Sequence, residues 1–488
     1  MPKFVLLWTD LALYLLVAGT LVYAWRTRRQ PALRASWRRV LQDAPAMSAA
    51  VILASFVAIA LLDSVHYRPQ LPAMPAMPGA TAPIYSPTVL SALDGLLADT
   101  SLTQREKTYS APLATHQFTK ETLGTSAEGL PLRDFPRLRH AGTTLSDPAT
   151  EWRGDLLKRL TLGLLGGLAL ALATAALATA RLRETGGFAV RCGLILRGHT
   201  ATPWRAILLT CLGVCLVTGS VIALASGYHV LGTDSTGNDV LYQSLKSIRT
   251  AFVIGSLTTL AMLPPAIGFG LAAGYFKGRV DDVITYLYTT LTSIPGVLLV
   301  AACVLMMQVF IDRHPELFDT GAARADLRLF MLCLILGLTG WAGLCRLLRA
   351  EALKLRELEY VQAARAFGVS HFTILRRHLL PNVFYLVLIT LTLEFSSLVL
   401  YEAVLSYLGI GVDPTMNSFG SMINDARTEM SRTPMIWWNL LSAFAFMLTL
   451  VLAANLFADA VRDAFDPRSR RLRSAWLRRR PGQGEVQP

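Results

Sequence analysis

Long apolar stretches alternate with shorter polar connections along the whole chain. Most of the stretches approach or exceed the ~20 residues that a helix needs to cross the hydrocarbon core of a bilayer. They lie near residues 4–25, 46–62, 160–180, 206–226, 251–275, 283–309, 329–347, 383–405 and 437–458. The pattern predicts an all-α integral membrane protein with nine spanning helices.

Composition supports this class. Of the 488 residues, 53% are hydrophobic and only 16% are charged, which excludes an ordinary soluble protein of this size. The net charge of +13 is concentrated in the connections and in an Arg-rich end at 468–480. No nucleic-acid-binding module is visible, so we expect membrane lipid as the partner of these cations and no nucleic acid.

The distribution of Lys and Arg predicts the orientation, because cationic connections are retained on the cytoplasmic side of a membrane. Connections 26–45, 181–205, 277–282 and 346–382, with the end from 460 onward, hold 28 Lys and Arg residues. Connections 227–250, 312–328 and 406–436 hold seven. We therefore expect the C terminus and the segment 346–382 in the cytoplasm, and the N terminus outside.

Residues 359–382 form a polar, helix-prone segment between two of the apolar stretches. Val361, Ala364 and Phe367 recur at helical spacing, and Gly368 can end the helix. The small side chains of this first helix would allow close approach of another chain. The alternative is an ordinary amphipathic loop without a docking role.

A second short helix is predicted directly after this glycine. Ser370 can cap the helix at its start, and Pro381 should stop it. Its apolar side chains are Phe372, Ile374, Leu375 and Leu379. Two helices set at an angle would present a docking surface to a partner protein.

This segment resembles the coupling loop of the inner-membrane permease subunits of binding-protein-dependent ABC importers. The family signature is Glu-Ala-Ala, three residues, Gly, nine residues, Ile-x-Leu-Pro. Gln362, Ala363, Ala364, Gly368, Leu380 and Pro381 fall on that pattern. Gln362 stands where Glu is usual, and His378 stands where Ile is usual. The resemblance implies that these residues, together with Phe367, contact an ATPase subunit.

Further segments, in the same order as in the family, narrow the resemblance to the dipeptide, oligopeptide and nickel branch. They are Leu231–Val240, Gly274–Phe276, Trp341, the residues from Glu402 to Gly409, and Arg462–Pro467. The resemblance implies a six-helix permease core at 201–466 that contains the coupling loop 346–382. A basic cytoplasmic tail at 467–488 would follow it.

The N-terminal 200 residues have no counterpart in this resemblance. We expect two membrane helices at 1–62, an outer insertion at 63–155, and a third extra membrane helix with a basic cytoplasmic loop at 156–200. The insertion would contact a binding protein or cover the mouth of the pore. The alternative is a tolerated insertion without a role in transport.

Local patterns predict two elements within the insertion. The sequence at 71–78 is rich in Pro and predicts an extended spacer. Ser86 is predicted to cap an amphipathic helix. Its apolar residues would be Val89, Leu90, Leu93, Leu96 and Leu97.

Ionisable side chains within apolar stretches are candidates for function, because charge in hydrocarbon is costly unless it faces a cavity or a partner. Glu394 and Glu402 are eight residues apart, and so lie nearly on one face of the predicted eighth span. With Trp341 and Pro295 they form the candidate translocation path. Glu402 could instead cap or pair locally, and Asp10 in the first span is expected near the interface or paired with a neighbouring helix.

Prolines within two predicted spans should bend or break them. Pro264 and Pro265 in the fifth span and Pro295 in the sixth each lack a backbone N–H donor. Bent helices suit a pore that opens to alternating sides.

The chain has no phosphate-binding Gly-x-x-x-x-Gly-Lys-Ser/Thr loop, no histidines at metal-ligand spacing and no nucleophile constellation. We therefore expect no metal site, no cofactor in this chain and no enzymatic activity. By resemblance, ATP and Mg belong to two separate ATP-binding subunits. The resemblance also implies a second homologous permease and a periplasmic or surface solute-binding protein.

The same resemblance predicts a multi-pass protein of the bacterial inner membrane that imports a di- or oligopeptide, with small polar solutes such as nickel chelates as the alternative cargo. Two other classes of function stay open from sequence. An ion-gradient-driven transporter would use residues such as Glu394 and Asp10. A non-transporting membrane scaffold or sensor would use the insertion to recognise a ligand.

Overall fold

The computed structural model describes residues 2–71, 85–125, 131–181, 187–198, 200, 202–318 and 320–465. Helices dominate these ranges. They are α1 (Trp8–Arg29), α2 (Pro31–Val40), α3 (Ala44–Asp63), α4 (Ala92–Leu97), α5 (Pro148–Arg181), α6 (Phe188–Arg197), α7 (Trp204–Ala225), α8 (Val240–Phe276), α9 (Arg279–Ser293), α10 (Gly296–Arg313), α11 (Gly321–Gly340), α12 (Ala342–Arg356), α13 (Glu359–Ala366), α14 (His371–Ile374), α15 (Leu380–Tyr407), α16 (Phe419–Glu429) and α17 (Trp438–Phe465).

Nine helical segments in the described ranges are long and apolar enough to cross a membrane, which confirms the predicted all-α membrane class and number of spans. They are α1, α3, α5, α7, α8, α10, α11 with α12, α14 with α15, and α17. The predicted sixth span, 283–309, is divided between α9 and α10, which confirms the predicted break at Pro295, and the spanning helix is α10.

The prolines behave differently in the two places. Pro295 lies at the junction of α9 and α10, where its extended backbone (ψ 120°) ends one helix and starts the next. Of the predicted bend or break at Pro264 and Pro265, the break is wrong, since α8 runs through both, and the bend stays a prediction. Packing against α11 and α12 supports α8 over this length, and neighbouring helices commonly compensate for a proline in a membrane span.

Successive spans cross in opposite directions, so their connections fall on two faces. We call the face that carries residues 359–382 the loop face. The opposite face carries residues 64–147, which connect α3 to α5 and which we call the insert. The connections α7–α8 and α16–α17 lie on this insert face, since the first forms backbone hydrogen bonds with the insert and the second lines a cleft with it.

The few strands belong to the insert face. β1 (Lys3–Val5), β2 (His66–Arg68) and β3 (Leu90–Ser91) form an antiparallel sheet in that order. β4 (Glu121–Thr125) pairs with β5 (Pro131–Asp134) as a second antiparallel ladder. The first sheet ties the N terminus to the start of the insert.

The insert helix α4 begins later than predicted. Ser91, not Ser86, caps it, because Ser91 and Asp94 form a reciprocal capping box. Residues Leu90 and Ser91 precede the helix as strand β3, paired with β2. The predicted proline-rich spacer at 71–78 lies, apart from Leu71, outside the described residues.

The N-terminal helices pack on the remainder of the bundle. Helix α3 contacts α7, α8 and α17, while α1 contacts α8 and α11. Helix α5 packs along α7, where a Cβ on Gly163 would lie 2.6 Å from the carbonyl oxygen of Gly219. Small residues permit this close approach of two membrane helices.

Candidate functional site

The loop segment, residues 359–382, has the predicted two-helix form at its start. Helix α13 ends at Ala366, and Gly368 follows with φ +74°, a left-handed conformation that favours glycine. The Ser370 hydroxyl accepts a hydrogen bond from the backbone N–H of Thr373 and so caps α14. The predicted roles of Gly368 and Ser370 in local structure are confirmed.

The predicted stop at Pro381 is wrong. A π-helical turn, Leu375–Leu379, connects α14 to α15, and the helical chain continues through Pro381 to Tyr407. Pro381 lies in the first turn of α15, where a missing N–H and a fixed φ are well tolerated. The second helix of the loop segment is therefore continuous with a membrane span.

The base of the loop segment is buried in the helix bundle. Val361 is 1% exposed, while Ile374 and Leu379 are fully buried. These side chains belong to the same apolar cluster as Leu271 of α8 and Leu348 of α12. A movement of this base would therefore displace the packed helices with it.

The tip of the loop segment is apolar and exposed. The side chain of Phe367 is 85% exposed and that of Phe372 is 71% exposed, on either side of Gly368. Gln362 and Ala363 are also exposed, and Ala364 is half-buried against the base. Two large aromatic side chains are thus left exposed on either side of a left-handed turn, and exposed apolar patches are a common feature of interaction sites.

The remaining signature residues lie below this tip. The ring centroids of His378 and Tyr360 lie 6.0 Å apart. The backbone carbonyl oxygen of His378 accepts a hydrogen bond from the Asn382 side chain at 2.7 Å. Leu380 is half-buried and packs against the base cluster. The structure thus divides the predicted docking residues into an exposed set at the tip and a supporting set beneath it.

Polar contacts join the loop segment to neighbouring helices. The Tyr275 hydroxyl at the end of α8 is 2.8 Å from His371 Nδ1, and Arg356 donates to the Tyr275 carbonyl oxygen at 2.7 Å. Arg349 of α12 makes two hydrogen bonds to Asp281 of α9, and this guanidinium holds the pKa of the Asp281 carboxyl below its usual range. The loop segment is therefore attached to α8 directly and to α9 through α12.

The four candidate path residues do not form one site. Trp341 is 5% exposed and packs against Phe269 with ring centroids 5.1 Å apart, within the cluster beneath the loop segment. Pro295 is exposed at the start of α10. Glu402 is buried near the insert face and accepts a hydrogen bond from the Ser406 hydroxyl at 2.6 Å.

Glu394 differs from Glu402 in its surroundings. It is half-buried, and among the described residues it has no hydrogen bond or ion pair. Glu402, in contrast, has Ser406 as a local partner and abuts Gly420 of α16. Of the two side chains, only Glu402 therefore has a hydrogen-bond partner among the described residues.

Sequence reasoning missed a buried triad between the insert and the bundle. His229, between α7 and α8, lies 2.7 Å from Asp239 and 3.6 Å from Glu106 of the insert, and all three side chains are fully buried. Burial disfavours the imidazolium, but the two carboxylates outweigh it and raise the pKa of His229 to about 9. Glu106 also accepts backbone hydrogen bonds from Arg139 and His140.

A second set of buried charges joins α8 to the N-terminal elements. Lys246 Nζ lies 2.8 Å from carboxylates of both Asp63 and Asp94. Charge counting had placed this lysine in a connection, but it lies inside α8. Two charged side chains three residues apart in α8, Lys246 and Arg249, were the available signal, because cations in an apolar helix require partners.

Arg249 completes this charged set. Its guanidinium donates to Asp10 at 2.6 Å and to the Thr9 hydroxyl at 2.8 Å, and it lies 3.5 Å from Asp326 of α11. Asp10 also contacts His66 at 2.7 Å. The prediction that Asp10 is paired with a neighbouring helix is confirmed.

Comparison with known proteins places the loop segment within a recognised family. Residues 266–471 match the model of the binding-protein-dependent transport system inner membrane component. The chain is 30% identical to the oligopeptide transport system permease protein OppC of Haemophilus influenzae, over 50% of this chain and 72% of the relative. It is 32% identical to the glutathione transport system permease protein GsiD of Pectobacterium atrosepticum, over 50% and 74%.

A third relative is the dipeptide transport system permease protein DppC of Bacillus subtilis. It is 29% identical over 50% of this chain and 71% of its own length. The family match includes the whole loop segment and helices α9 to α17.

Proposed function

This chain belongs to the family of binding-protein-dependent transport system inner membrane components, and from this premise we propose that it forms part of the import path for a peptide-like solute. As a member of that family it is a multi-pass permease subunit of an ABC importer. The names of its relatives, which refer to oligopeptides, dipeptides and glutathione, support the peptide-like cargo.

The proposed assembly contains four further proteins. A second, homologous permease would enclose the pore with this chain, and two ATP-binding subunits would carry ATP and Mg. A periplasmic or surface solute-binding protein would deliver the solute. Catalysis of ATP hydrolysis would then reside entirely outside this chain.

The loop segment is proposed to contact an ATP-binding subunit through its tip. The observation that carries this proposal is the exposure of Phe367 and Phe372 above a base whose Ile374 is fully buried. Rearrangement of the ATPases would displace the tip, and the packed base would transmit the displacement to α8 and α15. Rigid-body movement of packed helices of this kind is a known means of switching between two states.

The proposed orientation places the loop face and the C terminus in the cytoplasm. The excess of Lys and Arg in the connections of that face supports it. The insert would then lie on the side from which the solute arrives.

The test uses the assembled importer in lipid vesicles. Phe367→Ser combined with Phe372→Ser should lower both ATPase association and ATP-dependent uptake by about tenfold or more. Aromatic side chains that become buried when two proteins bind commonly contribute much of the binding energy. Association is measured by co-purification and uptake with a labelled dipeptide.

Phe4→Ser is the matched control, since Phe4 is 73% exposed but lies on the insert face. It should leave ATPase association unchanged. Unaltered association and uptake in the double variant would contradict the proposed role of the loop tip.

The relatives are permeases, which favours import over the two alternatives. An ion-driven transporter would move solute without ATPase subunits, and a scaffold would move none. Vesicles that contain the permease pair alone separate these possibilities from the proposal, because the proposal expects no uptake until the ATPases are added.

A further inference from the structure

A cleft of about 590 Å³ lies on the insert face, where the insert meets the connection between α16 and α17. The insert contributes Phe118, Lys120, Arg133 and Phe135, and the connection contributes Arg432 and Ile436. Because its lining comes from both elements, the insert and the α16–α17 connection are both needed to form the cleft. The volume of the cleft falls in the range of small-molecule sites.

Three cations line this cleft, and none of them has a counter-ion within the part of the chain that the structure describes. Lys120, Arg133 and Arg432 take part in no ion pair with any described residue. Lys120 Nζ lies 5.3 Å from the centroid of the Phe135 ring, and the Arg432 guanidinium lies 5.0 Å from that of Tyr109. Aromatic faces thus position two of the cations while leaving their N–H donors available.

The acidic groups nearby are engaged elsewhere. Glu121 accepts a hydrogen bond from Lys107 at 2.7 Å, and Asp134 accepts one from the backbone N–H of Phe135 at 2.8 Å. Glu429 is buried and accepts a hydrogen bond from Asn439 at 3.1 Å. Among the described residues, none of these carboxylates therefore forms an ion pair with Lys120, Arg133 or Arg432.

The floor of the cleft is fixed before any ligand arrives. The Phe118 ring packs edge-on against Trp438 at 5.0 Å, and the Trp438 indole donates to the Thr233 carbonyl oxygen at 3.0 Å. Ile436 is 1% exposed. A rigid apolar floor beside unpaired cations is a suitable arrangement for a ligand with one apolar and one anionic end.

We propose that this cleft binds a small peptide-like solute through its carboxylate. Arg133, Lys120 and Arg432 provide charge-assisted donors for the carboxylate, and Phe118 and Phe135 contact an apolar side chain. This inference rests on the proposed peptide-like cargo and assigns to that cargo a site outside the helix bundle. The insert then takes part in collecting solute at the face where it enters.

The test measures binding to the full chain in lipid nanodiscs, without other subunits. N-acetyl-alanylphenylalanine and its C-terminal amide are titrated by calorimetry. The acid should bind. The amide should bind at least about tenfold more weakly, because it lacks the charge that the three cations recognise. Binding of the acid should also weaken as salt is raised.

Arg133→Gln and Lys120→Gln should each weaken binding of the acid by about tenfold. Both side chains are exposed, so both variants should unfold at the same temperature as the parent chain. Arg153→Gln is the matched control, since Arg153 is an exposed cation at the start of α5 that does not line the cleft.

Equal affinity for acid and amide, unchanged affinity in both cleft variants, or no measurable binding of the acid would each overturn the site. These outcomes are independent of the import assay. Intact binding with no ATP-dependent uptake would contradict the proposed function but not the cleft, whereas uptake without binding would contradict the cleft alone.

Discussion

Helix α8 ends in two very different environments. At the loop face, Tyr275 supports a segment whose Phe367 and Phe372 are open to solvent. At the insert face, Lys246 and Arg249 are enclosed by carboxylates from the N-terminal helices and the insert. One end leaves an apolar surface exposed, while the charges at the other end are already paired within the same chain.

The difference shows how burial distinguishes a permanent contact from a separable one. Charges removed from water must stay paired, because separation leaves an unpaired buried ion that costs several kcal/mol. The insert is held to α8 by such pairs and by the His229 triad. The loop tip makes no comparable contact with any residue that the structure describes, so the proposed ATPase partner would bind and leave at little cost to the fold.

The largest effect is expected from Arg249→Met. This change leaves Asp10 and Asp326 buried without their cation, and should lower the free energy of unfolding by about 3–5 kcal/mol. Chemical or thermal unfolding in detergent measures it. Lys107→Met is the control, since Lys107 pairs with Glu121 at the surface and should cost less than about 1 kcal/mol. Similar losses in the two variants would contradict the contrast between buried and exposed pairs.

Stability should next depend on pH through the His229 triad. The folded-state pKa of His229, about 9, lies above the ordinary 6.5. The contribution of its charge to the free energy of unfolding is therefore fully present below about pH 6.5 and is lost as pH rises through 9. A difference of this size corresponds to about 3 kcal/mol at most. Unfolding measured from pH 6.5 to 10 should show the decline.

The control for this pH dependence is His229→Gln. The variant should be less stable at neutral pH because Glu106 and Asp239 lose their cation, but its stability should no longer fall through pH 9. A parent chain whose stability is constant between pH 6.5 and 10 would show that His229 is not held as a cation.

The contrast between the two ends also explains what could be predicted from sequence. The turn and the helix cap of the loop segment depend on contacts between near neighbours, so Gly368 and Ser370 were identified from the local sequence. The insert depends on pairs that are far apart in sequence, such as Glu106 with His229, and no local pattern carries that information. Pro381 was misassigned because a proline both ends one helix and suits the first turn of another.

The same distinction between local sequence patterns and contacts far apart in sequence applies to the membrane spans. Their number follows from hydropathy and the division of the sixth follows from the proline at 295, whereas the continuity of α8 through Pro264 depends on packing. For the candidate path, the sequence indicated Glu394 and Glu402, and the hydrogen bond from Ser406 confirms the alternative prediction that Glu402 pairs locally.

A smaller effect is expected from Gly368→Ala. With φ +74°, an added Cβ should destabilise the turn by about 1–2 kcal/mol, although no atom lies within 4 Å of it. Gly343→Ala is the control, since Gly343 lies in α12 with equal space around it. That change should be neutral or stabilising by up to about 1 kcal/mol. Equal effects of the two substitutions on unfolding would exclude backbone strain at Gly368.

The smallest effect on stability is expected from Phe372→Ser alone. Its ring is 71% exposed, so its loss should change the free energy of unfolding by less than about 0.5 kcal/mol. Ile374→Ala, two residues away and fully buried, should cost about 2–5 kcal/mol. A large loss of stability in Phe372→Ser would mean that the ring supports the fold. A near-zero change together with weakened ATPase association would instead show that the exposed ring acts only on a partner.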